Sequence, residues 1–263
     1  MVSCNLMGGL GNQMFQVSVT YNLAKINNDV SVFNFSGCTT NLQGNTSLSY
    51  LNNIFSEFLN SNNIIVSKIY EETSFSFKKI EYTKNLKLIG YFQSEKYFLE
   101  SGDEIKNKFL DGLKKEKEKY KKINSFVKKI KGDKTLVSVH VRRGDYLNYS
   151  LTHTPCSLQY YNNSLSFLKD TIGDFLPIII TDDKEWCKEN FKEYIISPFE
   201  NEIEDFILMT ICEHNIIANS TFSWWGAYLN QNKEKIIIGP KKWFGPNGHQ
   251  DQQDIIPNKW IKF

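Results

Sequence analysis

Two arginines, a histidine and a carboxylate leave one apolar run together, in His140-Val141-Arg142-Arg143-Gly144-Asp145-Tyr146. Arginine presents a planar fork of donors that matches phosphate oxygens, so this group has the chemistry of a phosphate site. Side chains alternate along a strand, so His140 and Arg142 share a face and Arg143 points the other way unless the strand has ended. An Arg–Asp ion pair that stitches a loop is the structural alternative. Three more stretches carry chemistry. Gly8-Gly9-Leu10-Gly11-Asn12-Gln13 would let backbone close on a ligand, and a helix starting there favours an anion. It lacks the Gly-Lys-Ser/Thr ending of a P-loop, and Met14 stands where a dinucleotide fingerprint needs its third glycine. Asp182-Asp183 could hold a divalent ion, pair with the arginines or accept the N–H groups of a guanine, and Asp183 also fits as a helix cap. Asn219-Ser220-Thr221-Phe222-Ser223-Trp224-Trp225 offers hydroxyl and N–H donors to a phosphate, with both tryptophans read as core packing. A nucleoside diphosphate accounts for the four stretches together better than for any one alone.

The elements that must position these groups follow a regular pattern in the second half. Apolar strand runs at 136–141, 177–180, 194–196, 216–218 and 235–238 alternate with helical segments at 157–171, 183–191, 202–212 and 222–230, with Ser157 a candidate cap. Strands apolar throughout indicate a parallel sheet covered on both faces, and such sheets bind ligands beyond the carboxyl ends of their strands. The chain opens with a short strand at 2–7, the glycine turn, a buried helix over 14–24 and a strand at 30–33, the start of another α/β unit. Residues 36–100 are polar and aromatic with weak periodicity, and read as short helices and irregular connections. Residues 111–134 hold ten lysines and four acids around Leu113, Tyr120, Ile123, Val127 and Ile130 at helical spacing. This is an amphipathic surface helix with solvated lysines, or alternatively a basic face for anionic lipid. Lys131-Gly132-Asp133-Lys134 ends it, and the domain boundary is placed there, giving domains 1–132 and 133–263.

Composition excludes several classes. At 263 residues, with 41% hydrophobic and 23% charged residues, the chain has material for a core and is not disordered throughout. A formal charge of +2 disfavours a global grip on nucleic acid. The five cysteines, at 4, 38, 156, 187 and 212, form no C-x-x-C pair, which argues against a disulfide framework or a zinc knuckle and for a reducing compartment. No apolar run spans a membrane, and the first residues lack a signal-peptide pattern, so a cytoplasmic protein is expected. The N-x-S/T triplets at Asn45, Asn148, Asn162 and Asn219 are then chance.

Residues 8–16 (GGLGNQMFQ), 140–146 (HVRRGDY), 181–186 (TDDKEW) and 219–230 (NSTFSWWGAYLN) resemble bacterial-type α-1,2-fucosyltransferases of glycosyltransferase family 11. The motifs stand in the family's order over nearly the whole chain, while residues 36–130 match weakly. The resemblance implies an α/β, GT-B-like fold of two Rossmann-type domains, the first on the acceptor side and the second binding the donor. It implies metal-independent, inverting transfer of L-fucose from GDP-β-L-fucose to the 2-hydroxyl of a terminal galactose, with no cofactor. By the same resemblance Arg142 is the donor-phosphate arginine, and Asn12 reaches the β-phosphate or orients Arg142. His140 and one of Asp182 and Asp183 hold guanine and ribose, and Ser220, Thr221 and Ser223 contact the diphosphate. Gly9 and Gly11 stand on the donor side, and Arg143 and Asp145 brace the loop. Asp145 and His153 are the candidate bases. The implied partners are GDP-fucose and a galactose-terminated oligosaccharide or lipid-linked glycan, with peripheral contact to the inner membrane face as an extension and no nucleic acid.

The competing readings are a fucosyltransferase of other linkage or acceptor, a nicotinamide-dependent oxidoreductase, and a non-catalytic glycan-binding protein suggested by the 14% aromatic content. The missing third glycine argues against the oxidoreductase, and polar chemistry gathered at strand ends argues against the bare binder.

Overall fold

A computed structural model describes residues 1–36 and 46–263. Cys38 and the Asn45 triplet lie outside the described residues. The chain divides into two compact units, Met1–Glu116 with Asp251–Pro257, and Lys117–Gln250 with Asn258–Phe263.

The first unit carries β1 (Val2–Cys4), β2 (Ser31–Val32), β3 (Lys68–Glu71) and β4 (Leu86–Ile89), all parallel, in the order β2-β1-β4-β3. Between β1 and β2 runs α1 (Leu10–Ile26), which is buried along most of its length. Its buried hydroxyls are satisfied by its own backbone: Ser18 donates to the Met14 carbonyl and Thr20 to that of Gln16, both at 2.7 Å. A second α-helix of this unit, α2 (Gly102–Leu113), packs Gly112 so tightly that a Cβ would fall 2.4 Å from the Asn53 carbonyl oxygen.

The second unit holds α3 (Lys117–Lys131), then β5 (Thr135–Val141), α4 (Leu158–Ile172), β6 (Phe175–Thr181), α5 (Lys184–Asn190), β7 (Ile195–Ile196), α6 (Glu202–Ile211), β8 (His214–Ile216), α7 (Thr221–Leu229), β9 (Ile237–Gly239) and β10 (Ile261–Lys262). Its six strands are parallel in the order β10-β9-β8-β5-β6-β7. That is the doubly wound order, in which the chain runs outward from β5 in one direction and returns to build the other half from β8. Its crevice opens between the carboxyl ends of β5 and β8. The core around β5 gathers Val137, Val139, Val141, Tyr161, Leu168 and Ile179. Ser157 caps α4 as expected, accepting from the Tyr160 N–H at 3.2 Å.

The expected domain division differs from the one seen. The division falls between Glu116 and Lys117, before the lysine-rich helix and not after it, and residues 251–257 rejoin the first unit. The physical reason is that α3 packs against α6. Ile123 is fully buried, Phe126 meets Phe199 edge-on at 5.3 Å, and Lys122 pairs with the nearly buried Glu204 at 2.8 Å. In the other direction, the Asp251 carboxylate accepts the Phe75 N–H at 2.8 Å and the Asp254 carboxylate that of Phe77 at 2.8 Å. No helix among the described residues is long and apolar enough to cross a membrane.

Candidate active site

The apolar run of β5 ends at Val141, and the next residues fan out as strand alternation requires. Arg142 places Nη2 2.6 Å from Asp145 Oδ1 and Nη1 2.9 Å from Asp182 Oδ2, with its guanidinium 5.4 Å from the Tyr146 ring centre. Arg143 turns away. Its Nε donates to Asp183 Oδ2 at 3.0 Å, and its guanidinium lies 4.0 Å over the Trp186 ring. The two acids beyond β6 complete the arrangement. Asp182 Oδ1 accepts the Arg143 N–H at 2.9 Å, and Asp183 Oδ1 accepts the Trp186 N–H at 3.1 Å as the cap of α5. Each of the four carboxylate oxygens therefore already faces a donor of the chain itself. Gly144 makes this approach possible, because a Cβ there would stand 2.6 Å from Asp182 Oδ2.

His140 points inward beside Arg142. It is 5% exposed, its ring lies 5.9 Å from that of Phe222, and its Nδ1 is buried without a hydrogen-bond partner. Burial, helped by the Arg142 charge, pushes its pKa down to about 3, so the imidazole is neutral. The loop after β5 is tied to the loop after β8 by the Tyr146 hydroxyl, which donates to the Asn219 carbonyl at 2.9 Å. The Asn219 side-chain amide in turn donates to the carbonyls of Thr154 (3.0 Å) and Trp243 (2.9 Å). Ser220 then starts α7 without using its hydroxyl as a cap. Of the three hydroxyls expected here, Ser223 is turned inward: it is fully buried and donates to the Ser220 carbonyl at 3.2 Å. Trp224 and Trp225 are fully buried, as core residues.

The two candidate bases differ. Asp145 is engaged with Arg142. His153 is half-buried between the rings of Tyr146 (5.1 Å) and Phe244 (5.6 Å), with Nδ1 3.2 Å from the Thr152 hydroxyl. Burial lowers its pKa, and the nearby Asp145 charge opposes that shift. Sequence reasoning missed the loop that holds it. Gly245 N–H donates to the Thr152 carbonyl at 2.8 Å, and a Cβ on Gly245 would fall 2.5 Å from the Leu151 carbonyl oxygen. The glycines of Gly245-Pro246-Asn247-Gly248 were the available signal.

In the first unit the glycine turn after β1 packs closely against the start of α1. Gly8 has φ +76°, and a Cβ there would lie 2.4 Å from Asn12 Nδ2. Gly9 is the extended N-cap of α1, and Gly11 is buried in its first turn. Asn12 is 8% exposed, and its Oδ1 accepts from Gln93 Nε2 at 2.9 Å. Among the described residues no group of three or more His, Cys, Asp or Glu is placed to hold a metal.

Phosphate-type donors thus stand at the switch point of a doubly wound sheet. The description of glycosyl transferase family 11 matches residues 1–263. The chain belongs to that family. Among curated relatives, family 11 similarity extends end to end to the O-antigen biosynthesis glycosyltransferase WbnK of Escherichia coli, 30% identical over 99% of both chains. An alpha-1,2-colitosyltransferase of Escherichia coli is 31% identical over 99% of this chain and 98% of its own. A galactoside alpha-(1,2)-fucosyltransferase 1 of Bos taurus is 28% identical over 55% of this chain and 43% of its own. Among solved structures, the fold resembles that of the fucosyltransferase NodZ from Bradyrhizobium. The TM-score is 0.52 at 11% identity, over 86% of this chain and 91% of that one. The α/β architecture with parallel sheets is thus similar to that of NodZ, which is GT-B-like.

Proposed function

We propose that this family 11 enzyme transfers L-fucose from GDP-β-L-fucose to the 2-hydroxyl of a terminal galactose, forming an α-1,2 linkage with inversion and without a metal or cofactor. The observation that carries the reading is Arg142, held between Asp145 and Asp182 beside the carboxyl ends of β5 and β6. A preorganised arginine aimed at the leaving diphosphate stabilises a transition state in which negative charge grows there. Ser220, Thr221 and the first N–H groups of α7 add donors to the same diphosphate. The unpartnered Nδ1 of His140 marks a place for a polar atom of the nucleotide. Asp182 and Asp183 act chiefly through the arginines they hold. Asn12 serves the donor phosphate from the glycine turn.

His153 is the better base of the two candidates. Asp145 is occupied by Arg142 at 2.6 Å, whereas a neutral imidazole at His153 offers a ring nitrogen lone pair to the acceptor hydroxyl. In the step, the acceptor oxygen bonds to C1 of fucose, the C1–O bond to the diphosphate breaks, and the acceptor proton passes to the imidazole and on to solvent.

A second donor is favoured by the colitosyltransferase relative. Colitose is fucose without its 3-hydroxyl, so the same diphosphate chemistry serves both sugars. The deciding experiment incubates the protein with GDP-fucose and with GDP-colitose against galactose-terminated acceptors and reads linkage by NMR. Transfer from one or both to O2 is expected. Transfer only from a uridine-linked donor, or to another hydroxyl, overturns the reading.

A further inference from the structure

The loop after β4 is strained and heavily tied, and the group it delivers is the side chain of Gln93. Phe92 has φ 52°, a left-handed conformation that a bulky aromatic residue seldom adopts. Gly90 has φ +157°, and a Cβ there would fall 2.4 Å from Glu72 Cβ. The Glu72 carboxylate, its pKa pushed up by burial, accepts the N–H of Tyr91 at 2.6 Å and of Phe92 at 3.0 Å. Gln16 stitches this loop to the turn after β1. Its Nε2 donates to the carbonyls of Gly90 (3.1 Å) and Met7 (3.2 Å), and its Oε1 accepts the Met7 N–H at 3.0 Å. Where the two loops meet, Gln93 Nε2 donates to Asn12 Oδ1 at 2.9 Å, with both residues buried.

An asparagine amide has one accepting and one donating end. With Oδ1 engaged by Gln93, Asn12 turns Nδ2 to the Gly8 side, where a Cβ would stand 2.4 Å away. A phosphate oxygen only accepts, so it is attracted by the NH2 end and repelled by the oxygen end. We propose that Gln93 is a positioning residue that fixes the amide of Asn12 with its NH2 presented for the donor phosphate, and that the Glu72 clamp and the strained Phe92 keep Gln93 in place. The inference rests on the reading of Asn12 as a donor-side residue.

The test compares Gln93→Glu with Gln93→Met. A carboxylate at 93 can only accept, so it draws the NH2 of Asn12 toward itself and turns Oδ1 outward. A thioether of similar volume leaves the amide unpinned. Expected is a fall in kcat of roughly 100-fold for Gln93→Glu and roughly tenfold for Gln93→Met, in proteins shown to be folded. Asn12→Ala added to Gln93→Glu should lose little more, whereas a merely structural Gln93 would give additive losses. A folded Gln93→Met enzyme with wild-type kcat overturns the proposal. A readout independent of turnover separates this from the functional reading. In 15N-glutamine-labelled protein, one Gln93 side-chain proton should be shifted downfield and protected from exchange, and lose both properties in Asn12→Ala. If the wild type transfers neither sugar but that signal is present, the functional reading fails and the amide orientation stands. If the signal is absent, the orientation is wrong whatever the enzyme does.

Discussion

Arg142 and Arg143 are adjacent and equally charged, yet their surroundings predict opposite consequences of removal. Arg142 is about a quarter exposed, held by two carboxylates that are themselves 29% and 26% exposed. Ion pairs this open contribute at most about 1 kcal/mol each to stability. Arg142→Ala should therefore unfold only a few degrees below wild type, at about 2–4 °C per kcal/mol for a protein of this size. Its loss in rate should be large, because removing one charge-assisted donor from a developing anion typically costs about 10²–10³ in kcat. Arg142→Lys should recover little, since a point charge cannot span Asp145, Asp182 and a phosphate as the planar fork does. Arg143 sits 4.0 Å over Trp186 and bonds Asp183, contacts that together contribute roughly 1–2 kcal/mol to holding α5. Arg143→Ala should lower Tm at least as much as Arg142→Ala while losing less than about tenfold in kcat, well short of one removed oxyanion donor. The assay is kcat for the three variants with GDP-fucose, with thermal unfolding measured on the same samples. A folded Arg142→Ala enzyme with near-normal kcat, or a larger rate loss at Arg143, would refute the reasoning.

Three further outcomes are expected. His140 has a folded pKa of about 3 against 6.5 when unfolded, so the unfolded chain binds the extra proton between these values and stability falls as pH drops through that window. Urea unfolding should show up to ~2 kcal/mol lost from this group between pH 6.5 and 5, and His140→Gln should remove that part of the slope. Gly144→Ala would push a methyl against Asp182 Oδ2 and loosen its hold on Arg142, so kcat should drop roughly tenfold in a folded protein while Gly173→Ala, at a site open around its Cβ, leaves kcat unchanged. On the proposed reading EDTA should leave transfer unchanged, because arginine, hydroxyl and helix N–H donors would take the part of a cation in neutralising the diphosphate; restoration of a lost activity by Mn²⁺ would contradict this.

The second half of the fold was legible because most of its strands are apolar runs and two of its helices begin at recognisable caps, Ser157 and Asp183. The departures have physical causes. The strand expected at 216–218 is His214–Ile216, displaced because His214 and Asn215 are polar yet buried. The Asn215 amide donates to Ser138 Oγ at 2.7 Å and to the Met209 carbonyl at 2.9 Å, and His214 Nδ1 accepts the Ile236 N–H at 2.9 Å. Polar groups satisfied inside a core look like loop when read along the chain. In the first half β3 escaped notice because it is an edge strand with Ile69 half exposed, so its pattern carries no burial signal. The boundary was misplaced because what assigns α3 to the second unit is packing on α6, some eighty residues further along the chain.

The site divides in the same way. That the side chains of residues 142 and 143 diverge followed from strand alternation, whereas the carboxylate each one meets did not. What the two aspartates do could not be read, because metal binding, base recognition and arginine pairing all require the same side chain. Geometry narrows this: with Asp182 bound to Arg142 and to the Arg143 N–H, and Asp183 bound to Arg143 and to the Trp186 N–H, the pair links the ends of β5 and β6 into one rigid corner. An arginine so held is set in direction before any ligand arrives. It also has part of its charge already compensated, which weakens its grip on a ground-state diphosphate, and the attraction increases as the leaving group gains charge. If Arg142 faces the donor phosphate as proposed, its anchoring carboxylates favour the transition state over the bound donor, which is the distribution of binding energy that raises kcat and not merely affinity.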